Sequence, residues 1–196
     1  MKKILSILFL IGYIFSAQVC FAAESSDIST LKQEILVLYN TNRIKEAYQM
    51  ISNIPENQRD SEIWLLAANI TEDYGRDLDA TSLLEKAISV DPTNYKAYYN
   101  LGNLQLKGNK YYSAITSYNK CLKIKKDFSY AWYNLGNAYL GLDDYPKAKS
   151  AFMRAISFET VNPDFYYNLA YTYKKMGKTK QAEKMLNIYN TLMEEK

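Results

Sequence analysis

The clearest pattern in the sequence lies between Trp132 and Tyr139, which reads Trp-Tyr-Asn-Leu-Gly-Asn-Ala-Tyr. Related residues recur on both sides of this segment at intervals of 34 residues. Five registers repeat in this way over four copies, which indicates an internal repeat. Their members are Trp64, Tyr98, Trp132 and Tyr166; Ala67, Leu101, Leu135 and Leu169; Ala68, Gly102, Gly136 and Ala170; Ala80, Ala114, Ala148 and Ala182; and Leu84, Tyr118, Phe152 and Leu186.

Each copy is predicted to fold as two helices joined by a turn. Its apolar residues are three, four and seven positions apart, in two runs separated by a short break, as in amphipathic helices. One pair of helices cannot bury all of that apolar surface, so successive pairs should stack into a continuous core. The first helix should end at a position whose residue types tolerate left-handed backbone, namely Gly75, Asn109, Asp143 and Gly177.

The segment from Trp132 to Tyr139, followed by Ala148, Phe152 and Ala155, resembles the tetratricopeptide repeat (TPR). The resemblance implies an all-α fold in which helix-turn-helix repeats stack into a right-handed superhelix, an α-solenoid. It covers nearly the whole chain after the N-terminal segment, although residues 31–60 form a degenerate copy in which Ala47 precedes Ala80 by only 33 residues. The predicted organisation is a signal peptide at 1–22, a linker at 23–30, the degenerate repeat at 31–60, and repeats at 61–94, 95–128, 129–162 and 163–196, the last with a C-terminal helix.

The N-terminal segment has the pattern of a secretory signal. Lys2 and Lys3 precede an apolar run, and Ala22 provides a small residue for cleavage before a polar stretch. We therefore expect an exported protein, periplasmic or extracellular. Two alternatives stay open, an uncleaved membrane anchor and a lipoprotein modified at Cys20. Membrane association is expected only in those two cases.

Composition argues against several kinds of chemistry. The 196 residues include no histidine, which removes His-dependent nucleophiles and His metal ligands. Without residues 1–22 the formal net charge falls from +3 to +1, which is no electrostatic footprint for nucleic acid. Cys121 is predicted to be a buried core residue, and Glu72, Asp73 and Asp77 to form a solvated turn. The sequence thus predicts a non-enzymatic protein without a metal or cofactor.

The TPR resemblance implies a concave groove lined by the first helices, which is the usual ligand site of the family. Carried over position by position, a row of carboxamides and phenols should line it. One interpretation is that these side chains hold the main chain of an extended peptide, because an amide side chain offers both donors and an acceptor. The other is that they pack the helices together. The candidate residues are Asn69, Tyr99, Asn100, Asn103, Tyr133, Asn134, Asn137, Tyr167, Asn168 and Tyr171.

The last predicted helix is a second candidate surface. Tyr189 stands where earlier repeats have a small residue, and Met185, Leu192 and Met193 widen the apolar stripe around it. This stripe is predicted to dock a partner or a second copy, or alternatively to cover the fourth repeat. The leading function is a protein- or peptide-binding scaffold. A structural subunit that self-associates through its C-terminal helix and a glycan-binding auxiliary of an envelope enzyme are the alternatives.

Overall fold

The computed structural model describes residues 28–194, which form ten α-helices and one short 3₁₀ helix. The predicted signal peptide at 1–22 lies outside the described residues. The chain divides into two compact units, one ending at Gln58 and the other beginning at Arg59.

The first unit contains one helix hairpin. Helices α1 (Ile28–Asn40) and α2 (Ile44–Asn53) are followed by the 3₁₀ helix Glu56–Gln58. Helix α1 begins within the segment 23–30 that the sequence predicts as a linker. Asn42 lies in the turn with a φ of 61°, and it precedes Gly75 by the same 33 residues that separate Ala47 from Ala80. The degenerate repeat thus retains the hairpin and its turn geometry.

The second unit consists of eight helices in four consecutive hairpins. The helix pairs of these hairpins pack against each other, and each hairpin packs on the next. The described residues are all-α, and the second unit is a solenoid of stacked hairpins, as the sequence predicts. The helices are α3 (Ser61–Asp73), α4 (Asp77–Val90), α5 (Tyr95–Lys107), α6 (Tyr111–Ile124), α7 (Ser129–Leu140), α8 (Tyr145–Phe158), α9 (Pro163–Lys175) and α10 (Thr179–Glu194).

The turns within these hairpins have the predicted left-handed residues. The φ angles are 73° at Gly75, 56° at Asn109, 55° at Asp143 and 72° at Gly177. Glycine adopts this region without steric cost, and asparagine and aspartate tolerate it better than other residues. The prediction for this position is therefore confirmed in all four repeats.

Close approach within a hairpin depends on a matched pair of residues. A Cβ atom on Gly136 would lie 2.5 Å from Cε1 of Phe152, and one on Gly102 would lie 2.5 Å from Cε1 of Tyr118. Both rings are fully buried. The first hairpin of the second unit has alanine at this position, Ala68, and the opposing residue there is the smaller Leu84. Glycine is thus required where the second helix presents an aromatic ring.

Stacking between hairpins follows a constant pattern. Each new first helix places three residues, spaced i, i+4 and i+7, on the preceding hairpin. In α5 these are Ala97, Leu101 and Leu104, which join the core formed by Trp64, Ala80 and Leu84. The equivalent residues of α7 are Ala131, Leu135 and Ala138, and those of α9 are Phe165, Leu169 and Thr172. No helix among residues 28–194 has the length and apolar character needed to cross a membrane.

Candidate functional site

The asparagine–tyrosine face comprises the ten residues predicted to line the groove, and hydrogen bonds between successive first helices join most of them. Asn100 Nδ2 donates to Asn69 Oδ1 at 2.7 Å. In the next repeat Asn134 Nδ2 donates to Asn103 Oδ1 at 2.9 Å. In the one after that, Asn168 Nδ2 donates to Asn137 Oδ1 at 2.8 Å. Each bond joins two successive first helices, and the donor always belongs to the later repeat.

The tyrosines of two repeats extend this network. Asn134 Nδ2 also donates to the Tyr99 hydroxyl at 3.2 Å, and Asn168 Nδ2 donates to the Tyr133 hydroxyl at 3.0 Å. Since a carboxamide has two N–H groups, both donors of Asn134 and of Asn168 are used inside the protein. These two asparagines therefore tie neighbouring repeats together, as the packing interpretation requires.

Several polar atoms of the face have no hydrogen-bond partner within the described chain. Among them are Asn69 Nδ2, Asn100 Oδ1 and Asn168 Oδ1, while the other amide atom of each of these residues is hydrogen-bonded to a neighbouring repeat. Within the described residues no side-chain nitrogen or oxygen is buried without a hydrogen bond, so these three atoms reach solvent. One donor and two acceptors thus remain available to a ligand.

Burial sets the protonation of the phenols on this face. Desolvation raises the pKa of Tyr99, although hydrogen bonds from Asn103 and Asn134 oppose the shift, and it raises the pKa of Tyr133 in the same way. The phenolate would lose favourable hydration in these half-buried positions. Both groups are therefore neutral near pH 7 and act only as hydrogen-bonding and packing groups.

Aromatic contacts cover the tyrosines of the inner repeats. The ring centroid of Tyr99 lies 4.9 Å from that of Phe128, and the ring of Tyr133 stacks on Phe165 at 4.9 Å. Tyr167 has no following repeat in the described chain. Its ring instead lies 5.3 Å from Tyr189 of its own hairpin and is 52% exposed.

A cleft opens at this last hairpin. We call it the terminal cleft; it has a volume of about 430 Å³ and lies between helices α9 and α10. Tyr171, which is 45% exposed, stands here in the register of Asn69, Asn103 and Asn137. The carboxamide series therefore stops where the cleft begins. The residues that line it are Tyr167, Ala170, Tyr171, Lys174, Thr179, Ala182, Glu183 and Leu186.

The stripe predicted on the last helix is divided between two environments. Met185 packs against the core formed by Ala148, Phe152 and Leu169, so it serves the interior. Tyr189 contacts Tyr167, Leu192 is half-buried, and Met193 is 48% exposed. The sequence prediction omitted Leu186, which shares a register with Leu84, Tyr118 and Phe152. That shared register was the available signal, because in an earlier repeat its member Leu84 packs against the next first helix.

The remaining candidate groups have structural roles. Cys121 is fully buried, and its burial raises the pKa of the thiol to about 12. Asp77 forms an ion pair with Lys107 at 2.9 Å, which joins the turn of one repeat to the end of the next first helix. Within residues 28–194 no group of three His, Cys, Asp or Glu side chains is arranged to hold a metal ion.

Comparison with known families agrees with this architecture. Residues 83–116 and 151–184 match a sequence profile described as a tetratricopeptide repeat, residues 129–159 match a second profile of that description, and residues 106–143 match a profile described as a TPR repeat. Together the matches run without a gap from residue 83 to residue 184, more than half of the chain. The chain belongs to the tetratricopeptide repeat family. TPR proteins are protein-interaction scaffolds, and this chain has the corresponding architecture.

Solved structures show the same fold. A crystal structure of MamA superposes with a TM-score of 0.76 and 21% sequence identity, over 87% of this chain and 97% of that one. MamA from Desulfovibrio magneticus RS-1, residue 41 to the end, gives a TM-score of 0.78 and 17% identity, over 88% of this chain and 98% of that one. At these identities the likeness establishes the TPR fold only. A search of curated protein sequences gave no significant match.

Proposed function

We propose that this TPR protein is a non-enzymatic binding scaffold of a bacterial-type cell envelope, which holds an extended peptide or a partner subunit on its asparagine–tyrosine face. The observation that supports this is the set of unpartnered, solvent-reaching amide atoms on Asn69, Asn100 and Asn168. They lie on the first helices of three of the four hairpins of the second unit, namely α3, α5 and α9. A main chain presents donors and acceptors in alternation, and this face offers both.

The internal network improves the face as a binding surface. Since Asn134 and Asn168 are held by two hydrogen bonds each, the first helices are fixed relative to one another before a ligand arrives. A preorganised surface loses less conformational entropy on binding than a mobile one. The phenols add rigid contact area with a polar end, which is the use that binding proteins commonly make of tyrosine.

The test uses one substitution that keeps the internal bond and removes the available donor. Asn69→Asp retains the oxygen that accepts from Asn100, but it has no N–H group to offer a ligand. We expect the wild-type chain, immobilised and exposed to envelope extract, to capture a partner that Asn69→Asp captures at least fivefold less efficiently. Unfolding midpoints of the two proteins should agree.

Asn119→Asp is the matched control, because it makes the same change of charge at an exposed position on the second helix α6. It should capture the partner as wild type does. Equal capture by wild type and by Asn69→Asp would contradict the groove assignment and leave the packing interpretation of the carboxamides.

The location of the protein is tested separately. Envelope fractions should contain a chain that begins near Ala23, because Ala22 provides the cleavage position. N-terminal sequencing of the fractionated protein measures this. A chain with an intact Met1 in the cytoplasm would contradict export, and a lipid on Cys20 would make the protein membrane-anchored.

A further inference from the structure

The terminal cleft occupies the place that a following helix takes in every earlier repeat of the second unit. We infer that it is a docking site for an acidic, amphipathic α-helix of another protein. The inference extends the proposed scaffold function from an extended ligand on the asparagine–tyrosine face to a helical ligand at the end of the array.

The internal interfaces show what this place requires. In each of them the incoming first helix supplies residues at i, i+4 and i+7 to the core, and an asparagine at i+3 to the face. For α9 on the preceding hairpin, the core residues are Phe165, Leu169 and Thr172, and the asparagine is Asn168. Asn134 of α7 has the equivalent role toward Tyr99. The pattern therefore defines a helix with an apolar stripe and one carboxamide.

The last hairpin keeps the receiving surface without the incoming helix. Leu84, Tyr118 and Phe152 are at most 1% exposed, whereas Leu186 in the same register is 41% exposed. The hydroxyls of Tyr99 and Tyr133 each accept an asparagine N–H, and the hydroxyl of Tyr167 has no such donor among the described residues. Exposed apolar area of this kind is characteristic of an interface.

Tyr189 covers only part of this surface. It replaces the small residue of earlier repeats and contacts the ring of Tyr167, in the manner of Phe128 and Phe165 toward Tyr99 and Tyr133. A cleft of about 430 Å³ remains beside it, lined by Ala182 and Leu186.

The charge of the residues around the terminal cleft indicates that the docked helix is acidic. Between residues 174 and 184 the chain has five lysines and one acidic residue, Glu183. Of these lysines only Lys175 has a side-chain interaction within the described chain, a contact with the Tyr171 ring at 5.4 Å. The other lysines, which have no acidic partner there, are Lys174, Lys178, Lys180 and Lys184.

The internal ion pair shows where an acidic group would lie. Lys107, at the end of an incoming first helix, pairs with Asp77 in the preceding turn. In the last hairpin the register of Asp77 is held by Thr179, between Lys178 and Lys180. A docked helix would therefore need an acidic residue where α5 has Lys107. The signs are reversed relative to the internal pair.

The same charges disfavour a second copy of this chain as the occupant. Pairing of two terminal clefts would bring the lysine clusters together. Helix α1 of a second copy offers one lysine, Lys32, and one acidic residue, Glu34, so it supplies no net negative charge. An acidic helix from a different protein satisfies both the apolar and the electrostatic requirements.

The chain itself provides the probe. A fluorescent peptide with the sequence of Pro163–Lys175 already has the apolar stripe and the asparagine, and Lys174→Glu with Lys175→Glu makes it acidic. A covalent bridge between the positions of Tyr167 and Tyr171 keeps the peptide helical, which a free peptide of this length would not be. Both positions are exposed in α9. The control peptide has the same bridge and keeps the two lysines.

We expect the acidic peptide to bind the full-length mature protein at least tenfold more tightly than the lysine peptide at 50 mM salt, with a smaller difference at 500 mM. Leu186→Glu in the protein should abolish binding, and Leu78→Glu, at an exposed leucine of α4, should not change it. Lys178→Glu combined with Lys180→Glu should reverse the preference between the two peptides. Fluorescence anisotropy measures all of these, and circular dichroism checks that each variant is folded.

Equal binding of the two peptides, or binding that survives Leu186→Glu, would overturn the assignment. So would a concentration-dependent dimer in sedimentation velocity that Leu186→Glu dissociates, because a second copy would then occupy the cleft. The outcome is independent of the groove test, since capture on the asparagine–tyrosine face responds to Asn69→Asp and peptide docking responds to Leu186→Glu.

Discussion

Replacement of Gly136 by alanine tests the matched pair that sets the distance between α7 and α8. The added Cβ would lie 2.5 Å from Cε1 of Phe152 and 2.7 Å from Cδ1. The ring is fully buried against Leu169 and Ala148, so it cannot move aside without disturbing the next repeat. The substitution therefore forces a shift of the two helices.

The magnitude follows from two opposing effects. Overpacking of a well-packed core costs about 1–3 kcal/mol. Alanine in place of glycine stabilises a helix by about 1 kcal/mol. We therefore expect Gly136→Ala to lower the free energy of unfolding by up to about 2 kcal/mol.

A second substitution should restore much of this loss. Ala68 opposite Leu84 shows that alanine and leucine form a compatible pair at these positions. Phe152→Leu alone should cost about 1–2 kcal/mol through lost buried volume. Gly136→Ala with Phe152→Leu should cost at least about 1 kcal/mol less than the sum of the single changes, as expected for residues in direct contact.

Urea denaturation followed by circular dichroism measures the free energies of unfolding of the wild type, the two single variants and the double variant. An unchanged dependence on urea concentration would show that the unfolding reaction is the same in each variant. Additive effects, or a Gly136→Ala protein more stable than wild type, would refute the steric reasoning.

Three further predictions concern the network, the cysteine and alkaline pH. Asn134→Ala should lower the free energy of unfolding by about 1–3 kcal/mol because it removes two hydrogen bonds between repeats, whereas Asn119→Ala should change it by less than about 0.5 kcal/mol; urea titrations decide. Cys121 should react with iodoacetamide at pH 8 only after denaturation, as mass spectrometry of pulse-labelled protein would show. The melting temperature should fall as the pH rises above about 10. The unfolded chain releases its phenolic protons there, whereas Tyr118, whose pKa is raised by burial, retains its proton in the folded protein. A melting temperature that does not change from pH 9 to 11 would contradict this coupling.

The helices and turns could be predicted from the sequence because their determinants are local. The apolar spacing of each copy and the left-handed residues at positions such as Asn109 and Asp143 act within one hairpin. The 34-residue period strengthens the prediction, because a pattern that is ambiguous in one copy is clear when four copies share it. The core position of Cys121 follows from the same registers.

The environment of the groove residues could not be predicted in this way. Which atom of Asn134 faces Asn103 and Tyr99 depends on the distance between two hairpins, and no local pattern encodes that distance. Likewise, the apolar residues of α10 look alike in sequence, although Met185 enters the core and Leu186 lines the cleft. That division depends on what covers each face of the last helix.

The constant direction of the carboxamide bonds bears on how such an array can lengthen. A repeat with asparagine at both positions, as in Asn134 and Asn137, donates to the repeat before it and accepts from the repeat after it. A tandem duplicate of such a unit would find compatible neighbours anywhere inside the array, so copy number can change internally in a single genetic event. At the last hairpin Tyr171 has no amide oxygen, and an added unit would start without this bond. Internal duplication thus keeps every carboxamide bond, whereas a unit added after the last hairpin would lack this one bond and would pack through Tyr167 and Leu186 instead.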